Sequence, residues 1–180
     1  MSVHIDYSKF RISRMEEWEK IEESFNCGDT DLNDFILHEA PLYREALLAV
    51  SYVAKIGDRV IAYFSLANDR VSLGDFENKT EFNRFRKHRF VNDKRLKSYP
   101  AVKICRFAVD TTFSGTGIGT ILMDFIKGYF IENNKTGCRF ITVDAYLNAI
   151  PFYEKNHFSP LLPKDDDEHT RLYYYDLKEE

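Results

Sequence analysis

The stretch "RFAVDTTFSGTGIGTILMDFIKGYF", residues 106 to 130, restricts the fold of this chain more than any other. A β-rich run ends at Val109, glycines alternate at 115, 117 and 119, and an apolar run with helical spacing follows. Glycine is costly where a helix begins, so its use there means that the backbone approaches something closely. A strand that feeds such a turn and then a helix presents unpaired N–H groups at the positive end of the helix dipole. That arrangement suits a phosphate.

Several readings compete for the turn. A Walker A loop needs Lys-Ser/Thr after its last glycine, and here Thr120-Ile121 follows Gly119, which argues against nucleoside triphosphate hydrolysis. A dinucleotide fingerprint needs GxGxxG, whereas this sequence has GxGxG, although Asp144 at the end of the next β-rich run mimics a ribose-binding acid. Too little chain follows for a doubly wound sheet. Glycines that serve packing alone are a further reading, and coenzyme A, whose pyrophosphate would sit on the same N–H groups, is another.

With 180 residues, 44% of them hydrophobic, the chain can bury a real core as one domain spanning 1–180. No apolar run reaches membrane-spanning length and the first twenty residues lack a signal-peptide centre, so a soluble cytoplasmic protein is expected. Cys27, Cys105 and Cys138 have neither disulfide-framework nor zinc-ligand spacing, and buried, reduced thiols are expected. The acidic run Asp165, Asp166, Asp167, Glu168 and His169 lacks the EF-hand spacing and reads as a solvated hairpin loop, so no metal site is expected.

Elements follow from periodicity. A strand is expected at "SKFRIS", then a helix with Asp29 or Thr30 as N-cap that puts Leu32, Phe35 and Ile36 on one face. "AVSYVAKIGDRVIAYFSLA" reads as an antiparallel hairpin around Gly57-Asp58. Residues 75 to 99 form a short helix or structured loop that Pro100 ends. Strand "AVKICRFAV", helix "GTILMDFIKGYFIENN", strand "CRFITVDAY", a short helix from Asn148 and strands "HFSPLL" and "RLYYYDL" complete a mixed α/β chain. The aromatic last strand is a possible homodimer contact.

"FAVDTTFSGTGIGTILM" resembles the acetyl-CoA motif of the GNAT superfamily of N-acetyltransferases, with Gly117 and Gly119 matching and Ser114 standing where Arg or Gln is usual. "DAYLNAIPFYEKNHF" is similar to that family's later motif at Asn148, Phe152, Tyr153, Glu154 and Phe158, with His157 in place of a glycine. "FNCGDTDLNDFI" and "VSYVAKIGDRVIAYFSLA" look like the toxin-type branch that acetylates aminoacyl-tRNA. The resemblance implies direct transfer from acetyl-CoA to an acceptor amine without an acyl-enzyme. Backbone groups of Phe107 and Val109 would pair with the pantetheine, and Val109 N–H would polarise the thioester oxygen. Ser114, Gly115, Thr116, Gly117, Ile118, Gly119 and Thr120 would form the pyrophosphate loop. Asn148 would bind pantetheine or help order the site. A coenzyme A-binding module without catalysis is the alternative.

Tyr153 is the expected acid. A phenol of pKa about 10 protonating a thiolate of conjugate pKa about 8.5 is uphill by roughly 2 kcal/mol, which favours a hydrogen bond over completed transfer unless the site lowers the phenol's pKa. The general base is not legible, and His157 is either a proton acceptor or a helix-terminal surface residue. An α-amine near pKa 7.7 is about one part in six neutral at pH 7, against about one in 2,500 for a lysine. An α-amine therefore needs less help.

Charge supplies the lead on the acceptor. Residues 83 to 106 hold nine Lys/Arg against Asp93, a local +8 within a chain of net −4. A tRNA would meet Arg86, Arg89, Lys94 and Arg95 through its phosphates, with Phe85, Phe90 or Tyr99 stacking on bases. The same segment also reads as a solvated charged excursion, and a small-molecule or protein amine stays open as acceptor.

Overall fold

A computed structural model describes residues 7–17, 19, 21–91, 95–132, 136–163 and 167–179. Its strands are β1 (Phe10–Arg14), β2 (Val50–Ile56), β3 (Arg59–Ser72), β4 (Ser98–Val109), β5 (Phe140–Tyr146), β6 (Ser159–Pro160) and β7 (Thr170–Asp176). Its α-helices are α1 (Thr30–Asp34), α2 (Ala40–Glu45), α3 (Lys79–Lys87), α4 (Ile118–Glu132) and α5 (Ile150–Lys155). The sheet order is β1-β2-β3-β4-β5-β7-β6. This is the mixed α/β architecture expected from the sequence. The chain divides into two compact units, residues 1–67 with 104–128 and residues 68–103 with 129–180.

In the first unit β1, β2 and the start of β3 form an antiparallel meander, with Phe10 opposite Ile56 and Val50 opposite Leu66. Gly57, at φ 62°, supplies the left-handed residue that the tight β2–β3 turn needs. Asp29 caps α1 by accepting from Leu32 N–H at 3.0 Å. The single helix read from this region is interrupted: Pro41 has no N–H to give to Leu37, and the preceding turn widens so that Ala40 N–H reaches the Phe35 carbonyl. Phe35, Ile36 and Ala40 pack with Met15, Phe25, Val53, Val60, Tyr63 and Ala108. Along α4, Ile118, Leu122 and Ile126 recur at i, i+4 and i+8 and are fully buried with Met123. Burial of that row contributes on the order of 1.5–3 kcal/mol per side chain, which holds the helix against the core.

The second unit is built on rings. Phe82, Phe85, Tyr99, Phe140 and Tyr174 are buried together, and Phe90 stacks on Tyr99 at 4.0 Å between centroids. Ala101–Lys103 pair in parallel with Phe140–Thr142, and β5 pairs antiparallel with β7 over its whole length. β4 begins before Pro100, which stands ahead of that parallel pairing, so its missing N–H costs the ladder with β5 nothing. β7 lies inside the sheet, flanked by β5 and the two-residue β6. Among the described residues no helix is long and apolar enough to cross a membrane.

Candidate active site

In the first unit, β4 ends at Val109 and Asp110 reverses the chain. Asp110 is 2% exposed, and its carboxylate accepts from Thr112 N–H at 2.9 Å and Asn26 N–H at 3.2 Å, with Arg59 at 3.6 Å. Burial alone would raise its pKa, but those hydrogen bonds and the guanidinium outweigh it and hold the carboxyl below its ordinary value. A single 3-10 turn over Thr111–Phe113 leads to Ser114, then to Gly115 at φ 74° and Gly117 at φ 90°. Both glycines occupy the left-handed region, and a side-chain carbon built on either meets nothing within 4 Å. Packing alone therefore does not explain them: the requirement is conformational, and the space above the turn is open.

Helical hydrogen bonding begins when Ile121 N–H reaches the Gly117 carbonyl at 3.1 Å. The N–H groups of Ile118, Gly119 and Thr120 precede that bond and have no helical acceptor. An open turn with free donors at the start of a 15-residue helix fits a diphosphate, and the residues present therefore fit the coenzyme A pyrophosphate. Ser114 is exposed beside it. Phe107 and Val109 are half-buried near the end of β4.

In the second unit, Asn148 is exposed in the 3-10 turn before α5. Tyr153 is 6% exposed, its ring edge-on to Phe152 and Phe158 at 5.3 and 5.5 Å. Among the described residues its phenol has no hydrogen-bond partner, and burial pushes its pKa well above the ordinary tyrosine range. That makes the phenol a weaker acid than the sequence reading allows for, and a better fit to hydrogen-bond donation than to completed proton transfer. His157, where the resembled motif has glycine, is exposed at φ 66°, its N–H on the Glu154 carbonyl at 2.9 Å. This is the geometry of a helix end.

The basic excursion is folded on itself. Arg86 donates to the carbonyls of Leu96 and Arg95 at 2.9 and 3.2 Å and lies over Phe82. Arg89, its side chain 15% exposed, meets Asp176 at 3.3 Å, Glu179 at 3.1 Å and the Tyr174 hydroxyl at 2.6 Å. Arg95 reaches the Phe90 carbonyl at 3.4 Å. Lys94 lies outside the described residues. Phe85 and Tyr99 are buried in the ring cluster, so the expectation that they stack on bases is corrected. Arg84, Lys87, His88 and Lys97 are exposed, and an open groove of about 470 Å³ is lined by Lys87, His88, Arg89, Phe90, Val91 and Arg95.

Other candidates resolve by their partners. Asp144 is ion-paired with Lys103 and stands in a sheet that is not doubly wound, which removes the dinucleotide reading. Burial raises the Cys27 thiol and pushes Cys138 up to about 11, so neither is poised as a nucleophile. Asp167 accepts from the N–H groups of His169 and Thr170 at 2.9 and 2.7 Å, and Asp165 and Asp166 lie outside the described residues. Asp110 escaped the sequence reading; the signal was an Asp placed directly between a strand end and a Thr-Thr turn.

The model of the acetyltransferase (GNAT) family matches residues 12–158. Among solved structures, a tyrosine-to-phenylalanine mutant of KacT is 22% identical with a TM-score of 0.73, over 94% of this chain and 96% of that one. AtaT complexed with acetyl-methionyl-tRNAfMet is 18% identical with a TM-score of 0.74, over 94% and 95%. AtaTR bound with AcCoA is 19% identical with a TM-score of 0.70, over 95% of each. No curated protein matches the chain in sequence. The chain belongs to the acetyltransferase (GNAT) family and is an N-acetyltransferase that uses acetyl-CoA as co-substrate.

Proposed function

We propose that this GNAT acetyltransferase, working as one domain over residues 1–180, moves the acetyl group directly to the α-amine of an aminoacyl-tRNA. The observation that carries the acetyl-CoA half is the open turn at Gly115 and Gly117, with the spare N–H groups of Ile118, Gly119 and Thr120. Ser114 and Thr116 complete that loop. Acetyl-CoA supplies the activated acetyl thioester. Phe107 and Val109 align its pantetheine arm by backbone hydrogen bonds, with Val109 N–H directed at the thioester oxygen. Asn148 binds the pantetheine or helps order the site. Tyr153 gives a hydrogen bond to the departing sulfur; a phenol held neutral by burial suits donation and not ionisation.

Three facts support tRNA as the carrier of the amine. The fold is shared with a protein solved in complex with acetyl-methionyl-tRNA, an α-amine needs less deprotonation at neutral pH than a lysine, and the excursion carries exposed cations around an open groove. Arg89, held by Asp176 and Glu179, shapes the wall of that groove beside Arg95, Arg86 braces its backbone, and Lys94, from the same basic run of the sequence, is proposed as a further phosphate contact. A fold shared with AtaT bound to the C-terminus of the antitoxin AtaR makes a protein antitoxin a further partner to test.

The experiment is acetyl transfer from labelled acetyl-CoA to a pool of charged tRNA, beside a panel of polyamines, amino acids and lysine peptides. N-acetylaminoacyl-adenosine recovered by mass spectrometry after nuclease digestion is the expected product. Thiol release with small amines alone would replace tRNA by a small-molecule acceptor. Acetyl-CoA binding without thiol release on any amine would leave a non-catalytic binding module.

A further inference from the structure

Arg106 stands on β4 one residue before Phe107 and three before Val109, about 10 Å along an extended strand. Strand alternation puts it on the same face as Ala108, which packs with Phe35 and Tyr63. Its guanidinium lies over the Phe35 ring at 5.0 Å and, among the described residues, gives one hydrogen bond, from Nη1 to the carbonyl of Cys105 at 2.9 Å. Its Nε is buried without a partner. Among the described residues the nearest carboxylate oxygen, on Asp31, is 3.9 Å away on a side chain that is 70% exposed. The cation is thus oriented by a ring and a carbonyl, with donors left over and a loose counter-ion.

The segment 26–31 runs beside the same length of β4. At one end Thr111 N–H reaches the Asn26 carbonyl at 2.8 Å and Asn26 N–H reaches the Asp110 carboxylate. At the other end Asp31 faces Arg106. Asn26 also accepts from Gly28 N–H at 2.9 Å and from the Asn33 amide at 3.0 Å, and Tyr63 donates to the Leu32 carbonyl at 2.7 Å, so the loop is held along its length. Asp29 and Asp31 give this loop a negative character that attracts an ammonium group and repels a phosphate. The spare donors of Arg106 therefore suit an uncharged acceptor atom.

We infer that Arg106 selects the acceptor: its guanidinium donates a charge-assisted hydrogen bond to the carbonyl oxygen adjacent to the attacking α-amine, so that aminoacyl compounds are preferred over plain alkylamines. The inference rests on the proposed placing of the acetyl thioester beside Phe107 and Val109. Arginine's fixed fork distinguishes it here from a lysine, which could supply charge without the same directed donors.

The test compares methioninamide with 3-(methylthio)propylamine, which differs by lacking the carboxamide, as kcat/KM per neutral amine so that the difference in protonated fraction cancels, and reads the change in their ratio between wild type and variant, in which the difference in nucleophilicity cancels too. Arg106→Met is expected to lower the ratio of amide to alkylamine about 20-fold relative to the wild type, the worth of a hydrogen bond to a charged donor. The alkylamine rate and the KM for acetyl-CoA should hold. Arg106→Lys should recover only part of the preference, and thermal unfolding of both variants separates selection from folding. A variant that leaves the ratio of the two amines unchanged, or in which both fall together, overturns the inference and leaves the acetyltransferase reading standing. Thiol release with neither amine nor with charged tRNA overturns both.

Discussion

The glycine turn of the first unit and the basic excursion of the second are the two segments that bear most directly on ligand binding, and they behave in opposite ways. Around residues 114–120 the donors are backbone N–H groups, fixed by two left-handed glycines and a helix start. Around 79–97 the donors are arginine side chains, and the fold uses many of them internally: Arg86 on two carbonyls, Arg89 on two carboxylates and a phenol. A turn whose function lies in its backbone keeps that function in the folded state. A charged run keeps only the charges that folding leaves exposed.

The largest expected effect breaks the turn. Gly117→Glu forces a side chain into φ 90° and puts a carboxylate over the free N–H groups, so kcat/KM for acetyl-CoA should fall by about 1,000-fold, mostly through KM in steady-state thiol release. Tyr153 is a useful contrast with the arginines, being a side chain held by ring packing, edge-on to Phe152 and Phe158, rather than by ion pairs. Tyr153→Phe should lower kcat about 100-fold while the KM for acetyl-CoA stays within about twofold. Because burial holds that phenol above its ordinary range, it stays protonated, and the wild-type rate profile should show no loss from its ionisation up to about pH 10.

Arg89→Ala should be a stability mutation. Its partner Asp176 is fully buried but keeps two hydrogen bonds from Arg139, at 2.6 and 2.9 Å, so the cost should be about 2 kcal/mol, below that of stranding a buried charge outright. Thermal denaturation should shift down by about 4–8 °C. The smallest effects belong to Arg84→Ala and Lys87→Ala, both on exposed residues. Each should raise the KM for charged tRNA about threefold at low salt and reduce the salt slope by about one, with no change in melting. Melting shifts from this pair, or a changed salt slope without a stability loss in Arg89→Ala, would erase the contrast between the two kinds of cation.

Much of the architecture was legible because it follows from local rules. The Gly57-Asp58 hairpin, the Asp29 cap and the strand–turn–helix at 104–132 need only periodicity and turn chemistry. The widened turn ahead of Pro41, the continuation of β3 to Ser72 and the start of β4 before Pro100 were not legible, since each depends on what the strand or helix packs against. The Asp110 hub was hidden for a similar reason. Its place between a strand end and a Thr-Thr turn signals a local cap, but its bonds to Asn26 and Arg59 join residues far apart in sequence, and no local pattern shows those. Charge density pointed to the excursion, but only the fold separates Arg89, held by Asp176, from Lys87, left exposed.

The most direct measurement is a calorimetric titration of the purified protein with acetyl-CoA, beside NADH and ATP. Micromolar or tighter binding of acetyl-CoA alone is the expected result. Binding of NADH or ATP without acetyl-CoA would contradict the assignment of the open glycine turn to the coenzyme A pyrophosphate.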